Sequence, residues 1–455
     1  MFFNSFNFLI FFIVVFVFYW NSKTTKSKNY ILLISSYFFY SQWDVYFLLL
    51  IILSSLVDFN CSLLIYKSNS LNYRKIYLFS SIFINFFILF IFKYFNFFSE
   101  SLFNLLGIEN EYGFLLENLI LPVGISFYTF QSVSYTIDVY NKRITPTSNL
   151  PVFLTFVSYF PQLVAGPIER ANNLLFEIRK EKKITNVDFD KGLRFIIYGL
   201  FKKIVIADNL APYVDRIFNN YEHYNGGVLL LGLFYFSIQI YCDFSGYSNI
   251  AVGISKFLGI KLNFNFNFPY RSKDITEFWQ RWHISLSKWF RDYVYIPLGG
   301  NRNGTKRTFV NLIIVFLLSG LWHGANFTFI FWGLYHVILY FLFRFFNFKS
   351  KFNYLGVILT YVLVTIGWVF FRAEDLTSAF NYLNLIVSAF TIPNMERSAL
   401  PFVILFFCLE FFFKNNNLDL KDFIKPSLSK FYEIILFLII IYLYTKGGQF
   451  IYFRF

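Results

Sequence analysis

Long apolar runs succeed one another along nearly the whole chain, parted by short polar loops. About 20 such residues suffice to cross a bilayer as a helix. The first run is Phe6 to Trp20. Others follow at 30–43, 44–66, 76–98, 118–140, 308–322, 326–346, 352–371, 399–413 and 431–446, with spans or partial spans at 194–208, 227–247 and 248–260. The pattern predicts an all-α polytopic membrane protein with about eleven transmembrane helices. Two stretches are interrupted. Pro122 and Gly124 cut into 118–140, and Pro151, Pro161, Gly166 and Pro167 punctuate 150–168. Non-helical backbone at membrane depth must be buried in protein or line a cavity, so re-entrant or broken helices are expected there. No internal repeat of the kind transporters often carry is visible.

Two segments break the apolar rhythm. Residues 169–194 are strongly charged, with Arg179, Lys180, Lys182 and Lys183, and read as a cytoplasmic excursion. Residues 274–295 read as one amphipathic helix. Asp274 and Glu277 resemble a capping box at its start. Trp282 and Trp289 lie on one face, Arg281 and Lys288 on an adjacent one, a pattern suited to a membrane interface.

Charge adds direction. The formal net charge is +14, carried in short loops rather than in one basic domain. That is positive-inside patterning, not a nucleic-acid footprint. Basic loops at Lys23–Lys28 and Lys67–Lys75 alternate with an acidic segment holding Glu100, Glu109, Glu111 and Glu117. The lysines therefore put the N-terminus outside. That terminus has no basic n-region or small-residue cleavage site and reads as a retained first span. Phe is extreme at 69 residues; the count alone implies no mechanism. Cys61, Cys242 and Cys408 are scattered, with no CxxC, so neither a disulfide framework nor a metal site is suggested.

Chemistry is sparse against this background. There are four histidines. His323 sits in Ser-Gly-Leu-Trp-His-Gly-Ala-Asn (319–326) between two long apolar runs, where an ionisable residue is a functional candidate by default. His283 lies in Trp-Gln-Arg-Trp-His-Ile-Ser (279–285); function and interfacial packing are both open for it. His336 falls thirteen residues after His323, well off that helical face, and reads as structural. His223 reads as a solvated loop residue. Asp243, inside Cys-Asp-Phe-Ser-Gly-Tyr-Ser (242–248), either orients a histidine or arginine or forms a polar knot between helices. No HExxH, GxSxG or P-loop occurs.

Together the motifs resemble the membrane-bound O-acyltransferase family, in its bacterial alginate and peptidoglycan O-acetyltransferase branch. The resemblance rests on Phe3–Phe6, Leu121–Gln131, Phe160–Ile168, the Asp243 motif, Phe278–Ser287 running on to Arg291–Gly300, and Gly320–Gly324. It treats residues 1–455 as a single domain of helices around a central tunnel. It implies that His323 is the principal catalytic histidine and His283 the second, supported by Asp243, Trp322, Arg281 and Asn326. Asn249 departs from the aspartate usual in the family after Gly-Tyr-Ser, so that position carries no essential charge. The tail, residues 450–455, is similar to a Phe-x-Tyr-x-x-Phe ending of this branch in which the tyrosine carries an acyl group. Tyr452 is the corresponding residue; by composition alone the tail is an aromatic interface anchor.

The resemblance further implies acetyl-CoA as donor substrate, no metal, and a bacterial inner-membrane location. It implies a periplasmic SGNH-type O-acetyltransferase as partner and a polysaccharide as final acceptor. Arg302, Lys306 and Arg307 are candidates for attracting the donor phosphates, beside their reading as positive-inside charge. A carrier-protein-dependent D-alanyl transferase of the same fold and a polysaccharide or lipid transporter are the alternatives.

Overall fold

The computed structural model describes residues 1–107, 120–164, 166–183, 185–346, 353–412 and 426–444; the statements below concern these. The elements are helical, with no strand among the described residues. Six helices are long and apolar enough to cross a membrane by length and composition: Val45–Lys67, Leu71–Leu106, Gly226–Phe257, Gly304–His323, Phe327–Phe345 and Tyr354–Arg372. That is fewer than the eleven expected. Several expected spans are shorter helices, such as Phe6–Asn21. Two of them merge, because 227–247 and 248–260 form one continuous helix of 32 residues, Gly226–Phe257.

The chain divides into two compact units. The first comprises Met1–Gly192 with Ala251–Asn263. Its helices α1 (Phe6–Asn21), α2 (Thr25–Ser41) and α3 (Val45–Lys67) begin on Ser5, Thr24 and Asp44, whose side chains accept from backbone N–H groups in the first turn. Helix α4 (Leu71–Leu106) packs on α3 through a polar knot. Asp58 of α3, fully buried, accepts from Ser81 Oγ at 2.5 Å and from Asn85 Nδ2 at 2.9 and 3.0 Å, and Ser54 donates to Asn85 at 2.6 Å. Between apolar helices such bonds supply the association that hydrophobicity cannot.

The expected breaks are present in this unit. Helix α5 (Ile125–Tyr140) starts only after Gly124, which takes φ +75. A Cβ there would also meet the Leu163 carbonyl oxygen at 2.7 Å. The 150–168 stretch splits at Tyr159 into Leu150–Ser158 and Phe160–Leu163. Gln162 of the second piece donates to Gln131 of α5 at 2.7 Å, so the two interrupted segments lock together. Within the charged stretch Arg179, Lys180 and Lys183 are exposed. Two of its charges are tucked in: Glu169 is fully buried and accepts from the Asn263 N–H and side chain, and Lys182 is buried on Glu177 at 2.8 Å.

The second unit comprises Leu193–Ile250 with Phe264–Phe455. It holds α6 (Asn186–Leu200, from Leu193), a π-helical turn at Phe201–Ala207, and α7 (Gly226–Phe257) up to Ile250. It then holds α8 (Ile275–Arg281), α9 (Ile284–Phe290), α10 (Gly304–His323), α11 (Phe327–Phe345) and α12 (Asn353–Arg372). The expected single helix over 274–295 is corrected here. The capping box is present, since Glu277 N–H donates to Asp274 at 2.8 Å and Glu277 accepts from the Lys273 N–H at 2.8 Å. The helix nonetheless stops at Trp282. His283 takes φ +42, and a new helix begins. Neither Pro nor Gly marks that break.

Candidate active site

The break at His283 is held by its neighbours. The segment Asn263-Phe-Asn-Phe-Asn267 alternates amide and ring. The Asn265 carbonyl accepts from Ile284 N–H at 2.9 Å, and its side chain accepts from the Ser285 hydroxyl at 2.6 Å. Asn267 N–H donates to the Arg281 carbonyl at 2.9 Å, and Arg281 returns a bond to the Asn267 carbonyl at 3.1 Å. Phe266 turns the other way, its ring 5.1 Å from Trp282 and 4.9 Å from Phe244. A left-handed non-glycine residue costs about 1–2 kcal/mol. The clamp on both flanks offsets that cost and aims His283 inward, where it is 1% exposed.

His323 arrives from a different direction. It is the last residue of α10, at the negative end of that helix. Gly320 and Gly324 sit so close to Phe329 of α11 that a Cβ on either would collide with its carbonyl or ring. The close approach seats His323 against Trp332 and Phe371, at 5.1 and 5.2 Å between ring centres, both edge to face. The His283 and His323 rings lie 6.3 Å apart, with Trp322 at 5.8 Å from the first and 5.1 Å from the second. Five of the eight tryptophans (279, 282, 322, 332 and 368) form a connected set of rings around the two histidines. Burial pushes the His283 imidazole well down from its ordinary value, so it is neutral there. A neutral imidazole can accept a proton or hold a hydroxyl.

Behind His283 lies a charged pair that the sequence reading passed over. Lys202 and Lys203 occupy the π-helical turn, both buried. Lys203 reaches Asp243 at 2.5 Å and Asp208 at 2.8 Å. Lys202 reaches Ser245 at 3.2 Å and lies 4.0 Å from Glu410. A π turn adds a residue to the helix circuit and often marks a functional position. The helices meet here because Gly199 and Gly246 face each other, each too close to the other's carbonyl to accept a Cβ. Asp243 is thus tied by its ion pair to a lysine, which is neither the histidine nor the arginine expected for it. Its neighbour Phe244 touches the His283 ring at 4.7 Å, edge to face. Two lysines inside an otherwise apolar run, 194–208, were the available signal.

The remaining candidates separate. Arg281 pairs with Glu277 one turn back at 2.7 Å, besides its bond to Asn267. Asn326 caps α11 by accepting from Thr328 N–H at 3.0 Å and donates to the Glu374 carbonyl at 2.8 Å. Arg302, Lys306 and Arg307 are exposed, in the loop and first turn leading into α10. His336 is fully buried among Trp279, Trp332 and Tyr335. Asn249 is buried in α7. Tyr452 and the whole 450–455 tail lie outside the described residues. Among the described residues no three His, Cys, Asp or Glu side chains are grouped to hold a metal ion.

Residues 4–372 match the MBOAT, membrane-bound O-acyltransferase family. The chain belongs to this family. It is therefore a multi-pass membrane protein, in keeping with its apolar helices. It is 44% identical over 291 residues to a probable alginate O-acetylase of Pseudomonas aeruginosa, covering 63% of this chain and 56% of that one. It is 35% identical over 395 residues to a peptidoglycan O-acetyltransferase of Helicobacter pylori, covering 79% and 74%. It is 30% identical over 278 residues to a teichoic acid D-alanyltransferase of Bacillus subtilis, covering 56% and 70%. The chain spans little more than half the length of the alginate O-acetylases it matches.

Proposed function

We propose that this protein is a membrane O-acetyltransferase. It takes an acetyl group from a cytoplasmic thioester donor, acetyl-CoA, and passes it across the bacterial inner membrane for O-acetylation of a cell-envelope polysaccharide. The polymer is peptidoglycan or an alginate-like exopolysaccharide. The observation that carries this reading is the pair of buried imidazoles, His283 and His323, 6.3 Å apart in an aromatic enclosure. Family membership and the O-acetylating relatives point to the same chemistry.

In this reading His323 is the general base. Its neutral imidazole takes the proton of an acceptor hydroxyl as the oxygen attacks the thioester carbonyl. The C–S bond then breaks, the ester forms, and the imidazolium returns the proton to the departing thiolate. His283 holds the acceptor oxygen or the thioester on the facing side. Asp243 acts at a distance, through Lys203 and the seating of Phe244 on His283. The first acceptor is the phenol of Tyr452, and a periplasmic SGNH-type transferase uses the resulting acyl-tyrosine outside. Arg302, Lys306 and Arg307 attract the donor's phosphates.

The test is reconstitution in lipid with acetyl-CoA labelled in its acetyl group. Label appearing on Tyr452 by mass spectrometry supports the full scheme, and His323→Ala abolishes it. Undiminished transfer in that variant removes His323 from the chemistry. Unchanged polymer acetylation in Tyr452→Phe removes the acyl-tyrosine alone. Label supplied only by an acyl carrier protein would transfer the reading to the D-alanyl relatives' side of the family.

A further inference from the structure

Trp332 stands out among the rings around His323. It sits in the middle of α11, fully buried, its ring edge to face with His323 at 5.1 Å and with His336 at 4.8 Å. Its indole Nε1 is buried and has no hydrogen-bond partner among the described residues. Both nitrogens of His336 are in the same condition. A buried donor left without an acceptor costs about 1–3 kcal/mol. The chain fills its interior with phenylalanine, of which it has 69. Phenylalanine would serve as packing at 332 and 336 without that cost. Polar rings kept against stability, Trp332 in direct contact with the proposed base and His336 packed on Trp332, are what a reaction site requires.

Among the described residues two tryptophans touch the His323 ring, Trp322 and Trp332, each edge to face at 5.1 Å. Trp322 also meets His283, whereas Trp332 is the one that packs on His336. A carbonyl carbon attacked by an oxygen that His323 holds lies within a few ångströms of that imidazole. Its oxygen is then within reach of a donor on the adjoining ring.

We propose that the Trp332 Nε1–H binds the acyl carbonyl oxygen and stabilises the oxyanion formed there, with His336 as the positioning residue that holds the indole. The inference rests on acyl transfer at His323. The acceptor oxygen bonds to the carbonyl carbon, the C=O π pair moves onto oxygen, and that alkoxide accepts from Trp332. His323 carries the hydroxyl proton meanwhile. On collapse the C–S bond breaks, the pair returns to re-form C=O, and the thiolate takes the proton from His323. Trp332 gains and loses no proton. An indole N–H in a water-excluded site is pre-oriented, so the bond strengthens as charge develops.

The experiment measures kcat and KM for acetyl-CoA in lipid nanodiscs for wild type, Trp332→Phe, Trp332→His and, as a control for lost ring volume at a buried tryptophan outside the ring set, Trp289→Phe, with thermal midpoints throughout. Removing one oxyanion donor typically costs about 10²–10³ in kcat. Trp332→Phe is expected to lose about 100-fold in kcat with KM little changed. Trp332→His, which restores a ring N–H, is expected to recover at least 10-fold of that loss. Trp289→Phe is expected to stay within about 3-fold of wild type. The proposal is overturned if Trp332→Phe stays within about 3-fold of wild type. It is overturned equally if Trp332→His is no better than Trp332→Phe, or if Trp289→Phe loses as much. A wild type that transfers nothing from acetyl-CoA refutes the underlying acyl-transfer reading instead.

Discussion

Lys203 is a buried charge held by two partners at once. Its ammonium reaches two carboxylates, Asp243 at 2.5 Å and Asp208 at 2.8 Å, and the three side chains are 1%, 3% and 4% exposed. Lys203→Met preserves length and apolar volume and removes only the charge. It leaves two buried carboxylates without the ammonium that they share. Removing one partner of a buried pair costs about 3–5 kcal/mol. Asp243→Asn leaves Lys203 paired with Asp208 and is expected to cost less, about 1–3 kcal/mol. In Lys203→Met with Asp243→Asn only the Asp208 carboxylate remains, so the repulsion between two carboxylates is gone. The double variant should therefore be less destabilised than the sum of the singles, by about 1–3 kcal/mol. Thermal unfolding of the four proteins in nanodiscs, followed by tryptophan fluorescence, measures the cycle. Asp243 backs Phe244, which touches His283, so acetyl transfer below the midpoint should fall with the same ranking. A Lys203→Met protein that melts with wild type would refute the reasoning, as would strictly additive singles.

Gly124→Ala should destabilise the first unit by about 2 kcal/mol or more, since φ +75 strains it and the Leu163 carbonyl stands in the way. Gly107→Ala, at φ +64 with open space around it, should cost about half as much in the same melting assay. Asn85→Leu removes the amide that donates twice to Asp58 and should lower the midpoint by about 1–3 kcal/mol of stability, more than Ser54→Ala. Replacing Arg302, Lys306 and Arg307 together by Gln should raise KM for acetyl-CoA several-fold and flatten its dependence on salt, with kcat unchanged. Steady-state rates at two ionic strengths read this directly.

The amino-acid pattern by itself determined that the chain is helical and crosses a membrane, and where several helices break. Those properties are local. A run of Phe and Ile partitions into lipid wherever it lies. Pro122, Gly124 and Pro161 interrupt a helix whatever packs against it. The Trp-His motifs at 283 and 323 stand out because so little else nearby can carry a proton. What the tertiary structure alone decided was pairing. His283 and His323 are brought together from two different elements, and so are Lys203 and Asp243. The close glycines at 199 and 246, and at 320 and 324, permit those meetings. The left-handed turn at His283 was invisible because its cause is remote. Asn265 and Asn267 impose it through hydrogen bonds from another segment, with no Pro or Gly at the turn itself. His336 reads as structural in the sequence, and only the ring of Trp332, set between His323 and His336, made the two candidates for the chemistry.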